Sequence, residues 1–231
     1  LLSFVYTIEL KIYQMKGLLK ENSKFLALFL ISVLSLVLPA FVLKEHLSDL
    51  IFSIIFSVMV LASTFTIAET KRHHKKIFII GATTLAFSWL LFLDVLPLNR
   101  PLKLGGVPFF FFFIYTVYRL VHTILKSTEV TPDVIFGAVT GYIFLGYAGT
   151  FYFEIIRDIF PNSFDAEAIQ NPMSLIYYSF VTMTTLGFGD ITPLSNPARS
   201  GTIVLTILGQ FYIATVVAIL VSKYIAGSSN K

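Results

Sequence analysis

The sequence predicts an all-α membrane protein: six transmembrane helices, plus one shorter helix that enters the membrane and turns back. Three observations lead there. Of the 231 residues, 56% are hydrophobic and only 13% are charged, a balance that soluble domains do not reach. The apolar residues fall into runs that approach or exceed the roughly 20 residues needed to cross a bilayer. The lysines and arginines gather in alternate loops, which marks those loops as cytoplasmic. With no cysteine the chain forms no disulfide, and its formal charge of +4 is explained by loop asymmetry, so it points to no nucleic-acid partner.

Taken in order, residues 1–24 mix apolar residues with Lys11, Lys16, Lys20 and Lys24. This fits a segment lying in the membrane interface or a solvated arm. Phe25 to Leu43 is the first span, with Pro39 expected to kink its outer end, and Leu50 to Ala68 is the second. The stretch from Glu69 to Lys76 is the most basic in the chain and is expected to be a cytoplasmic loop, with Lys71 to Lys76 attracted to anionic lipid. His73 and His74 lack the supporting ligands a metal site needs. Ile77 to Leu96 is the third span, Leu98 to Val107 an outer turn, and Pro108 to Leu125 the fourth span.

A voltage sensor carries arginines at every third position of its fourth span. Here the positions before Arg119 at that spacing are Thr116 and Phe113. The basic residues Arg119, His122 and Lys126 cluster at the inner end, where long side chains are expected to snorkel to the interface. One or two charges couple weakly, at about 2.3 kcal/mol per charge per 100 mV. The four peripheral helices, residues 25–130, are therefore expected to resemble a sensor in arrangement without sensing voltage strongly.

Thr131, Pro132 and Asp133 read as a helix start, with cap, proline and acidic residue in place. The fifth span, Val134 to about Ile156, carries Gly137, Gly141, Gly146 and Gly149, expected to let the inner helix pack closely. An external turret follows from Asp158 to Gln170. Asn171 and Pro172 start a second capped helix that runs to Thr184, too short to span, so it must re-enter the membrane. The sixth and inner helix is Ala198 to Ala226, with Gly209 near its middle. Gln210, Ile213, Val217 and Val221 recur every three or four residues on one face. Residues 227–231 form a flexible tail, and no cytoplasmic ligand-sensing domain is expected within these residues.

Between the re-entrant helix and the inner helix lies Thr184-Thr185-Leu186-Gly187-Phe188-Gly189-Asp190. Successive carbonyls can face one axis only if alternate residues take left-handed backbone geometry, which glycine reaches without a Cβ clash. Gly187 and Gly189 have the alternation this needs. Thr185 adds a hydroxyl at the inner end, and Asp190 places a carboxylate at the outer mouth, where it concentrates cations.

This stretch resembles the Thr-x-Gly-Tyr/Phe-Gly-Asp signature of potassium channels, and Tyr177 to Asp190 is similar to the pore helix and filter of their six-helix members. The resemblance implies that Thr185, Leu186, Gly187, Phe188 and Gly189 form the selectivity filter. The carbonyls of Thr185, Leu186, Gly187 and Phe188 and the hydroxyl of Thr185 would then bind K+. It also implies that Glu154, in a Tyr-Phe-Glu similar to the family's Tyr-Phe-Ala-Glu, joins Asp190 in bracing the outer mouth. By the same resemblance Gly209 is a gating hinge, and Gln210, Ile213, Val217 and Val221 line the cavity. Phe188 stands where tyrosine is commoner and removes a hydroxyl that can tether the filter.

One filter ribbon offers oxygens on one side of an ion, so a four-fold symmetric homotetramer is expected, with residues 131–226 as its pore domain. The expected activity is passive K+ conduction without an organic cofactor or catalysis, since the spans hold no catalytic motif or paired carboxylates. The alternatives are a weakly selective cation channel and a potassium-transporter subunit. A bacterial inner membrane, with both termini cytoplasmic, is the expected location.

Overall fold

The computed structural model describes residues 24–41, 45–67, 71–92, 105–165, 167–169 and 171–229. Apart from Lys24, the predicted interfacial segment lies outside the described residues. So do the outer turn before Gly105 and residues 230–231 of the predicted tail. Of Lys71 to Lys76, the proposed lipid contact, only Lys76 has a described side chain.

Among the described residues there are seven α-helices: α1 (Lys24–Val37), α2 (Glu45–Thr66), α3 (Lys71–Phe92), α4 (Gly106–Lys126), α5 (Pro132–Ile159), α6 (Pro172–Met183) and α7 (Asn196–Ser229). A single 3-10 turn, Leu38–Phe41, follows α1. It holds Pro39, whose missing N–H ends the regular ladder at the predicted outer kink. Helix α3 begins six residues earlier than expected, so the basic stretch from Lys71 is its first turns and not a loop. Lysine and arginine are good helix formers, and the helix starts in them before its apolar run begins.

Among the described residues, three helices are long and apolar enough to cross a membrane: α4, α5 and residues Asn196–Gly227 of α7. The remaining expected spans have apolar stretches of 10–17 residues, Lys24–Val37, Leu50–Thr66 and Lys76–Leu91. Both predicted caps form. The Thr131 side chain accepts the Val134 N–H at 3.3 Å, and the Asn171 side chain accepts the Ser174 N–H at 3.1 Å.

Helix α5 is the centre of the packing, touching α1, α4, α6 and α7. Its neighbour α4 ends at Lys126, and only residues 127–131 separate the two helices. So short a connection makes them antiparallel partners and lays α4 along α5. The seam between them is aromatic. Phe113, fully buried, lies 5.1 Å from Phe144, 5.5 Å from Tyr147 and 5.8 Å from Phe151 between ring centroids, and Phe109 stacks on Phe151 at 4.8 Å. Phe56 of α2 closes the cluster edge-on against Tyr147 at 5.3 Å. The Tyr147 hydroxyl is satisfied by Ser35 at 2.6 Å, tying α1 to the same core.

Arg119 corrects an expectation. It is 4% exposed and does not snorkel to the surface. It follows Phe112 by seven residues and Thr116 by three, which puts it on the buried stripe of α4. The glycines of α5 also divide their partners more widely than expected. A Cβ on Gly141 would meet Tyr212 of α7, whereas Gly146 faces Phe180 of α6 and Gly137 faces Phe25 of α1. Gly149 is pressed between Ser179 and Leu205, one from each of the two pore-side helices.

Candidate ion-selectivity site

Helix α6 is wedged between α5 and α7 by two short bonds. Ser179 donates to the Gly146 carbonyl at 2.6 Å, and the Tyr178 and Thr202 hydroxyls meet at 2.6 Å. The C-terminus of α6 is thereby held, and the ribbon grows from it. The Leu186 N–H bonds the Val181 carbonyl at 3.0 Å, and the Thr185 N–H bonds the Thr182 carbonyl at 3.0 Å. This pair of bonds is a Schellman cap, which requires a left-handed residue at Thr185. Thr185 indeed has φ of 62°.

The left-handed conformation then recurs at every second residue. Gly187 has φ of 54° and Gly189 of 78°. A Cβ at either glycine would meet nothing within 4 Å, so backbone conformation rather than crowding accounts for glycine there. The alternation read at Gly187 and Gly189 thus begins one step earlier, at a β-branched residue that pays a steric penalty. The sequence does not show this, because threonine is a poor indicator of positive φ.

All four terminal carbonyls of α6 have partners. Thr184 bonds Phe180 by its N–H at 3.0 Å and its hydroxyl at 2.7 Å; Gln210 Nε2 reaches the Met183 carbonyl at 3.4 Å; and the Thr206 hydroxyl approaches the Thr182 carbonyl at 3.5 Å. Gln210 therefore sits at the base of the ribbon. A Cβ on Gly209 would lie 2.6 Å from the Met183 oxygen, so close approach to the end of α6 is enough to require glycine. Helix α7 is continuous through that point. Ile213, Val217 and Val221 are 42%, 52% and 51% exposed, as are apolar residues on other sides of α7, so exposure alone does not single out one face.

At the far end of the ribbon, the Tyr177 hydroxyl bonds the Asp190 carboxylate. Glu154 lies beside the start of α6. It lines a cavity of about 370 Å³ with Phe56, Phe109, Asn171 and Leu175, and its Oε1 lies 3.9 Å from the Arg157 guanidinium. One residue fewer separates Phe153 from Glu154 than in Tyr-Phe-Ala-Glu, which turns the carboxylate by about 100° around the helix.

Three features were not read from the sequence. Lys223 Nζ donates to the carbonyls of Ile124, Leu125 and Ser127 at 2.6–2.8 Å, closing the C-terminus of α4. The Phe25 N–H bonds Asp133 at 2.9 Å, fixing the start of α5 to the start of α1. Ser163, fully buried in the turret, binds the segment that leaves the ribbon. The one sequence signal for Lys223 is its position as a lone charge late in a long apolar helix.

The family model described as ion channel matches residues 140–226. The pore half is similar to an ion-channel domain. That domain runs from α5 through the ribbon to α7, and together with the apolar helices it makes the chain an integral membrane protein. Over 94 residues the chain is also 30% identical to the "Voltage-gated potassium channel Kch" of Escherichia coli (strain K12), an alignment covering 41% of this chain and 22% of that protein. The chain thus spans about a fifth of that relative's length. No solved structure matches.

Proposed function

We propose that the chain conducts K+ passively through a homotetrameric pore whose filter is Thr185 to Gly189. The observation that carries this reading is the left-handed backbone at Thr185, Gly187 and Gly189, placed directly after a helix too short to span. Carbonyls ordered in this way replace a hydration shell. The ion-channel match and the similarity to a potassium channel support it. Four ribbons surround an ion where one does not, and the apolar surface left open on α7 is consistent with neighbours and lipid around it.

In this reading the chain crosses the membrane six times with both termini inside. Lys71 to Lys76 meet anionic headgroups, Asp190 draws cations to the mouth, and Ile213, Val217 and Val221 line the inner cavity. Gly209 acts as a hinge in addition to its packing role. The membrane is a bacterial inner membrane, and no organic cofactor or chemical reaction takes part. Voltage dependence is weak, because α4 offers Arg119 without a regular series before it.

A second reading, a weakly selective cation channel, is favoured by one residue. Phe188 lacks the hydroxyl by which a tyrosine tethers a filter. Flux from proteoliposomes in K+ against Na+, with and without Ba2+, separates the two. The expected outcome is a Ba2+-blocked, K+-selective flux that Gly187→Ala abolishes, since a Cβ at φ of 54° strains the ribbon. Equal K+ and Na+ flux establishes the second reading, and Ba2+-insensitive flux that tolerates Gly187→Ala removes the ribbon from the mechanism.

A further inference from the structure

A chain of hydroxyls crosses the outer loops beside the ribbon. The Ala198 N–H, in the first turn of α7, donates to Ser195 Oγ at 3.3 Å. Ser195 Oγ donates to Ser163 Oγ at 2.8 Å, and Ser163 Oγ donates to the Phe160 carbonyl, at the end of α5, at 2.7 Å. Each hydroxyl accepts once and donates once, so all three bonds point the same way. They run from the positive end of the α7 dipole to the negative end of the α5 dipole. Bonds aligned in this manner polarise and strengthen one another, most of all where water is excluded. Ser163 is 0% exposed.

The backbone follows the same route. The Leu194 N–H bonds the Ser163 carbonyl at 2.8 Å, and Phe164 pairs with Pro193 in an antiparallel bridge. Ile191 is buried in the same apolar cluster as Phe164. Only Asp190 separates Ile191 from Gly189, so whatever fixes residues 191–195 fixes the exit of the ribbon.

We propose that Ser163 and Ser195 are positioning residues that hold the outer end of the ribbon in its conducting shape, supplying the tether that Phe188 lacks. The proposal rests on the filter reading given above. It predicts that the pair acts as one unit, because either hydroxyl without the other leaves the chain broken.

The full chain is reconstituted in planar bilayers as the parent and as Ser163→Ala, Ser195→Ala, the double variant and Ser195→Thr. In low external K+ each alanine variant is expected to lose current roughly tenfold faster than the parent and to shift its reversal potential toward that of Na+. The double variant is expected to be no worse than either single one, and Ser195→Thr, which keeps the hydroxyl, to follow the parent. A Ser163→Ala channel with parental decay and reversal overturns the proposal, as does a Ser195→Thr channel as impaired as Ser195→Ala. Hydrogen–deuterium exchange of residues 190–199 reads the chain without any current. Faster exchange in Ser163→Ala supports it, and unchanged exchange overturns it. A parent without K+-selective current counts against the filter reading itself, while the exchange result still decides the role of the serines.

Discussion

Thr185 shows what one residue has to reconcile. As the left-handed residue of the cap on α6 it occupies a position that glycine fills at no steric cost, and a β-branched side chain there is strained by about 1–3 kcal/mol. A threonine at that position is accounted for if its hydroxyl serves the ion. Thr185→Gly and Thr185→Ala both remove that hydroxyl, but only the glycine variant relieves the backbone. Both variants are expected to lose K+ selectivity to a similar degree, while Thr185→Gly unfolds at the higher temperature in K+-free detergent. Matching unfolding temperatures would show that the cap stores no strain. Tyr177 and Asp190 form the complementary case at the outer end. There the Tyr177 hydroxyl donates to the Asp190 carboxylate and ties the far end of the ribbon to α6.

Among the elements, α5 joins α1 and α4 on one side to α6 and α7 on the other. Its aromatic seam with α4 relies on ring geometry, because hydrocarbon tails are as apolar as the side chains and only packing and hydrogen bonds favour helix association in lipid. A second joint lies at the C-terminus of α4. Lys223 donates to the Ile124 and Leu125 carbonyls, which α4 cannot pair internally, and to that of Ser127 just beyond, and its charge sits at the negative end of the α4 dipole. Lys223→Met leaves those carbonyls without a charged donor, a change expected to cost about 1.5–3 kcal/mol. The expected readout is faster amide exchange in residues 123–131, with Lys223→Arg restoring most of the protection. Exchange in Lys223→Met equal to that of the parent would show that the clamp contributes nothing.

At the scale of the whole molecule, most of α7 is left uncovered. Phe211 is 68% exposed and Val204 54%, on a helix of 34 residues. A span this apolar requires lipid or further protein against it, which agrees with a subunit built to assemble. Helices α1 to α4, by contrast, share one apolar core with α5 and α6, and Arg119 is buried on α4. If that arginine is a structural residue and not one of several gating charges, conductance changes only shallowly with voltage, and Arg119→Gln alters folding yield more than voltage dependence. A steep conductance–voltage curve that flattens in Arg119→Gln would reverse this view.

The helical periodicity, the caps at Thr131 and Asn171, the length that forbids α6 to span, and the glycine alternation at 187 and 189 are all written in the order of residues alone. Each is a local property, fixed by residues within a turn or two of one another. The left-handed Thr185 and the direction of Glu154 are also local features, but ones that the sequence does not mark. Folding in three dimensions settled the rest: the burial of Arg119, the clamp at Lys223 and the hydroxyl chain through Ser163. These depend on partners up to 99 residues away in the chain, and a serine or lysine looks the same in sequence whether water or a distant carbonyl receives its proton.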